Sequence, residues 1–425
     1  MRANTSRALL ALTLAASLQG AACAADAPAP AASQPANAVP PAFATAFNAA
    51  QELLKGGNGA GALAKLKELD ALPDQTPYEK YLIQRVRAPA EYAINDFTNA
   101  VADFEALADN PLLPPADKLI MLKSIAGIYY SSEQYPKAAV AIQRYLDAGG
   151  DDAQMKSLLP QAQYASKDYP AAAKNTRAEV DAEYAAGRVP SEKQLRLLYS
   201  AYVGMKDDAG AVRTVEHMAV DYPKPEYWAD LISRTREVEN FSDRLVPDYY
   251  RLKAQVLGQV DDRERLNYAA ITARQGYPIE AKKVLDAAYA SQKPFTGTNL
   301  TDANKLRPEI NKAAATDLAQ MAANESAARS AKDGNALVSQ GLNETLNDNA
   351  AKGAELIEQG IAKGGLRAPD EARLHLGYAQ IRAGRDADAL KTFQAINGGA
   401  PGTVQLAHVW MLYAQSQLKA ATASK

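Results

Sequence analysis

Three histidines, His217, His375 and His408, are the side chains of this chain best suited to acid–base or metal chemistry, and their spacing speaks against both. They lie 158 and 33 residues apart, and none stands in the His-Glu-x-x-His arrangement that sets two imidazoles on one helical face. Cys23 is the only cysteine, so one chain cannot assemble a thiolate set for structural zinc. His217 sits in the apolar stripe 215–218, His375 lies between Leu374 and Leu376, and His408 precedes Val409 and Trp410; packing or a surface role explains each better than ligation. Carboxylates occur as the doublets Asp151-Asp152, Asp207-Asp208 and Asp261-Asp262. Paired carboxylates divide acid and base work in glycoside hydrolysis, but sequence neighbours on a helix do not face each other. Each doublet falls at an expected helix start, where an acid offsets the dipole and caps free N–H groups. Gly56-Gly57-Asn58-Gly59 lacks the Gly-Lys-Ser/Thr ending of a phosphate loop and reads as a turn, and no Gly-x-Ser-x-Gly elbow occurs. The residues therefore imply neither enzyme chemistry nor a metal or cofactor.

The elements that would position any site are helices. Ala, Leu, Glu, Lys and Gln dominate, and long runs of alternating Val and Ile are missing. The ends carry a different message. Arg2 and Arg7 precede the short apolar stretch 9–18, and Ala22-Cys23-Ala24 follows as a small-x-small cleavage site, the layout of a secretory signal peptide over 1–24. Gly20 stands three positions before Cys23, where a lipoprotein signal has Leu, which disfavours acylation and leaves a soluble periplasmic protein as the expectation. Residues 25–41 are rich in Ala and Pro and read as a flexible leader. Charges interrupt every later apolar run, so no transmembrane segment is expected in the mature chain. The net charge of −2 offers no electrostatic case for nucleic acid.

A phrase repeats along the rest. A turn residue is followed by a small residue opening a helix and a large apolar residue four later, as in 134–146, 276–289 and 384–396; 168–180 repeats it without the large apolar partner, since Thr176 stands there. The small residues Ala62, Ala100, Ala138, Ala172 and Ala211 are separated by 38, 38, 34 and 39 residues. Ala281, Gly353 and Ala389 continue at intervals of 70, 72 and 36, where each long gap accommodates one degenerate pair. This period marks stacked pairs of antiparallel helices, because a small residue permits a close crossing and a pair alone cannot bury its apolar face. Nine or ten pairs are expected, with repeats over 42–296, a break at 297–301, an irregular helical stretch to 330, and further repeats and a terminal helix within 297–425. Ser191 and Gln194 form a capping box, Asp370 is expected to cap its helix, and Gly384 to take a left-handed turn. Gly341, Gly353 and Gly360 either relieve crowding in the 335–364 unit or loosen it.

These residues resemble the tetratricopeptide repeat family. The best match is 374–396, with the Leu-Gly pair at Leu376-Gly377, the small residue at Ala389 and the aromatic at Phe393; Gln380 departs from the usual tyrosine. The resemblance implies an all-α, right-handed superhelical solenoid that binds a peptide or protein on its concave face without chemistry of its own. The chain is also similar to exported bacterial repeat proteins that serve cell-envelope assembly or accompany TonB-type energy-transducing systems. A glycan- or cell-wall-binding helical module is the alternative, and an uncharacterised enzyme a more remote one. In this repeat type the inward positions lie 7, 8, 11, 15 and 18 residues before the small residue. Counting back from Ala138, Ala211, Ala281 and Ala389 gives a set that includes Lys123, Tyr130, Lys193, Arg196, Arg263, Arg274, Tyr378 and Arg382 as candidate partner-binding residues, with Glu371 the one acid. Six bases against one acid predict a groove that prefers an acidic segment.

Overall fold

The computed structural model describes residues 39–258, 261–291 and 295–423. The expected signal peptide, and the leader up to residue 38, lie outside the described residues. Among those described, all regular structure is helical. The helices are α1 (Pro41–Lys55), α2 (Gly59–Asp70), α3 (Pro77–Ala93), α4 (Phe97–Ala108), α5 (Pro115–Ser131), α6 (Tyr135–Asp147), α7 (Ala153–Ala165), α8 (Tyr169–Ala185), α9 (Glu192–Met205), α10 (Asp208–Asp221), α11 (Pro225–Thr235), α12 (Val246–Leu257), α13 (Asp262–Arg274), α14 (Pro278–Ala290), α15 (Gly297–Ser330), α16 (Asn335–Leu346), α17 (Ala350–Lys363), α18 (Pro369–Arg382), α19 (Asp386–Gln394) and α20 (Thr403–Ala423), with a 3-10 turn at Asp243–Leu245 before α12. No helix among the described residues is long and apolar enough to cross a membrane.

The expected register is the one the helices adopt. Ala62, Ala100, Ala138, Ala172, Ala211, Ala281 and Ala389 all open the second helix of a pair and are at most 3% exposed. Gly57, Asn95, Glu133, Lys167, Lys206, Gly276, Asp348 and Gly384 all have positive φ, from 58° at Glu133 to 86° at Gly276. Each stands five residues before the small residue of its unit, so one left-handed position closes every one of these turns. Capping follows the sequence as well. Asp152, Asp207 and Asp261 accept from the N–H groups of Met155, Gly210 and Glu264 at 3.0, 2.9 and 2.9 Å. Ser191 and Gln194 close their box at 3.0 and 3.3 Å.

Three expectations need correction. Ala368 is the N-cap of α18, and Asp370 is its second residue, in the first turn, paired with Arg373 at 2.5 Å. The 70-residue gap does hold an extra pair, α11 and α12, but the 72-residue gap holds the single 34-residue helix α15. Its Pro308 and weak apolar periodicity give it no second face to fold back on, and 297–301 is its first turn rather than a break. Nine pairs result among the described residues, with α15 and α20 unpaired.

The described residues divide into two compact units, one of those up to Ala182 with Ser200–Lys206, the other of Glu183–Tyr199 with those from Asp207 onward. In the first, each of the helices α1 to α6 packs on the one that follows it, and one apolar core runs from Phe43 to Ala162. The second closes on itself. Helices α10 to α19 follow one another, and α20 then packs against α10, α11 and α12 as well as α18 and α19. Trp410 of α20 is 1% exposed and lies 6.0 Å from Phe393 and 5.6 Å from Tyr378. Tyr413 meets Trp228 of α11 at 6.0 Å. His408 bonds Glu216 at 2.8 Å, Lys419 pairs with Asp221, and the Ser242 N–H donates to the Pro401 carbonyl at 3.0 Å.

Candidate functional site

In the first unit, the first helices of successive pairs present tyrosine at one register position, eight residues before the small residue. Tyr92, Tyr130 and Tyr164 are half-buried. Each meets, tilted or edge-on, the aromatic residue that opens the following helix, Phe97, Tyr135 and Tyr169, with ring centres 5.7, 5.6 and 5.5 Å apart. The left-handed residue between the two rings brings them together, so turn geometry and aromatic ladder are one feature repeated at the repeat spacing. Ile120 in α5 is 38% exposed on the same set of positions. The bases of this face are already paired. Lys123 bonds Asp152 of α7 at 2.6 Å, and Arg85 bonds Asp117 of α5 at 3.1 Å. The hydrogen bond from Lys123 holds the Asp152 carboxyl below its usual range. Each pair links one repeat to the next.

The remaining candidates lie in the second unit, and the structure does not gather them. Lys193, Arg196, Arg263 and Arg274 are exposed. Arg382 donates to the Tyr378 hydroxyl at 3.1 Å and to Asp348 at 3.2 Å. Tyr378 is 5% exposed under Trp410, so it serves the interior of the closed unit. Glu371, the acid of the inward set, pairs with Arg244. The excess of base read from the sequence is thus reduced by ion pairs at Lys123 and Arg382, because acids at the neighbouring helix starts and turns lie within reach.

Where the second unit closes, it buries a charged network that the inward positions did not include. Arg251 of α12 is 2% exposed. It donates through Nε and Nη2 to Glu280 at 2.9 and 2.7 Å, and through Nη1 to Asp248 at 2.8 Å. Its guanidinium lies 4.7 Å from the centre of the Tyr277 ring. The Tyr268 hydroxyl donates to Glu280 at 2.6 Å, and His375 of α18 stands 3.3 Å from Asp248. Burial alone would raise the Asp248 carboxyl; the charges of His375 and Arg251 outweigh it and hold it down at about 2. Burial would lower the Arg251 guanidinium, but Glu280 and Asp248 push it well up. Burial and Glu280 push the Tyr268 phenol up too. Asp248, Arg251 and Tyr268 thus keep fixed protonation states around neutral pH and act as an electrostatic staple rather than as proton donors. The signal in the sequence was an Asp and an Arg three apart in a helix otherwise apolar and aromatic, 246–252.

Beside the staple opens a cleft of about 390 Å³ lined by Asp243, Arg244, Asp248, Arg251, Gln275, Tyr277, Glu371 and His375. In the first unit, α3 and α4 bury a different pair of acids. Glu91 is 8% exposed, and its Oε2 and the Oδ2 of Asp103 have no hydrogen-bond partner among the described residues. Burial, then the charges of Asp103 and Asp96, push the Glu91 carboxyl up to about 7.

No protein-family model matches the chain, and no curated protein sequence does. Among solved structures the chain is similar to the crystal structure of the P58(IPK) TPR domain, with 12% identity and a TM-score of 0.23 over 89% of this chain and 99% of that one.

Proposed function

We propose that the protein is an exported, non-catalytic interaction scaffold whose first unit docks a segment of another envelope protein along the first helices of its pairs. The observation that carries this reading is the tyrosine ladder. Tyr92, Tyr130 and Tyr164 recur once per repeat, half-exposed, with their hydroxyls unpaired among the described residues. Tyrosine offers apolar area at small entropic cost and a polar edge for a peptide backbone. Lys123 and Tyr130 lie within this surface. In the second unit Lys193, Arg196, Arg263 and Arg274 remain exposed cations that steer an acidic partner rather than form its pocket. The signal peptide expected at 1–24 supports delivery to the periplasm, and the resemblance to exported repeat proteins points to an envelope assembly, TonB-type systems among them.

A photo-crosslinking amino acid placed at Tyr130 or Lys123 tests this in cells, with Gln143 on the exposed side of α6 as control. The reading expects one adduct band from the first two positions and none from Gln143. Equal labelling from all three, or none from any, contradicts it. Mass spectrometry of the mature N-terminus tests the export step, with Ala25 expected first.

A further inference from the structure

We propose that the cleft between α12 and α18 receives an alkyl guanidinium or ammonium group, with Glu371 as its anchor and Arg244 as the internal cation that it displaces. This inference concerns the second unit and stands apart from docking on the first. Of the groups lining the cleft, Asp248 is already engaged by Arg251 and His375, which leaves two acids, Asp243 and Glu371, against one base, Arg244. Arg251 has little to offer an anion, since it is buried and two carboxylates, Asp248 and Glu280, already hold three of its N–H groups at 2.7 to 2.9 Å. The other base is poorly fixed. The side chain of Arg244 is 66% exposed, whereas that of Glu371, its partner, is 13% exposed.

A solvent-facing arm thus caps a carboxylate fixed in the wall. Such half-exposed pairs contribute little, so replacing Arg244 by a ligand cation costs little, while the carboxylate stays oriented. Tyr277 supplies an aromatic wall whose phenol burial keeps protonated, and Asp243 supplies a second acid at the mouth. The volume, about 390 Å³, leaves room for the alkyl stem behind the head group. Together these select a basic side chain or a small amine over an anion. This is opposite in sign to the preference expected from the inward bases.

Calorimetric titration of the full chain tests the proposal with N-acetyl-arginine amide, a mimic of a side chain within a polypeptide, and with agmatine, a free amine. N-acetyl-glutamine amide and N-acetyl-glutamate amide serve as neutral and acidic controls. Saturable binding of either cation with silence from both controls is expected; the tighter of the two cations names the source, peptide or metabolite. Glu371→Gln should weaken binding about tenfold, the loss of one charge-assisted contact. Arg244→Ala should tighten it about threefold by removing the internal competitor. No saturable heat from either cation, preference for the acidic control, or weaker cation binding by Arg244→Ala would overturn the proposal. The Arg244 variant keeps the test decisive if Glu371→Gln proves unstable.

Discussion

Lys206 and Lys167 show how much the repeat demands of single residues. Both carry side chains at a left-handed backbone, φ 59° and 66°, in turns that Gly57, Gly276 and Gly384 fill without strain elsewhere in the chain. A side chain there costs about 1–2 kcal/mol, and glycine returns about 0.5–1 of this as unfolded-state entropy. Lys206→Gly should therefore raise stability by about 0.5–1 kcal/mol in urea melts. The buried staple predicts the reverse. Arg251→Met removes one cation and leaves Asp248 and Glu280 buried without it, a loss of about 3–5 kcal/mol by the same measurement. The two buried acids give opposite pH behaviour. The Asp248 carboxyl is depressed to about 2, so its contribution is present above the unfolded value near 4 and is lost as pH falls toward 2. The Glu91 carboxyl is raised to about 7, so its contribution is complete below about pH 4 and is lost as pH rises through 7. Urea midpoints of Glu91→Gln and wild type should thus agree at pH 4 and separate at pH 8, with the variant higher.

At the scale of helix pairs, small residues decide which helices approach. A Cβ on Gly353 would lie 2.1 Å from Thr345 Oγ1 and 2.5 Å from the Gly341 carbonyl, so α16 and α17 meet backbone to backbone. The three glycines of this unit permit a close crossing, and Gly353→Ala should destabilise by about 1–3 kcal/mol. Ala389 is fully buried against α18, and Ala389→Leu should cost a similar amount, about 1–3 kcal/mol, in the same melts. This level of the fold was legible in the sequence, because crossings need small residues at a fixed interval and the interval survives where other family residues do not. The helix α15 was not legible, since a 72-residue gap is compatible with either a pair or one long helix. The sites were less legible still. The ion-pair partners of Lys123, Arg382 and Glu371, namely Asp152, Asp348 and Arg244, come from neighbouring repeats or from across the closed unit, and no local period reports them.

At the scale of the whole chain, α20 gives the second unit a closed interior, and the first unit keeps its own core from Phe43 to Ala162. Ending the chain at Gly402 should therefore expose the amides of α10 to α12 and α18 to rapid hydrogen exchange while those of α3 to α6 keep their protection. Loss of protection in both units would show that one cooperative core runs through them. Tyr378 is buried inside the closed unit, and the proposed surface for a macromolecular partner is the tyrosine ladder of the first. The decisive measurement is the affinity of the crosslinked partner, once purified, for the full chain and for a Tyr92→Ala, Tyr130→Ala, Tyr164→Ala triple variant. Docking on the ladder predicts a loss of at least about tenfold with the second unit's melting unchanged. Unaltered affinity in a folded triple variant would contradict it.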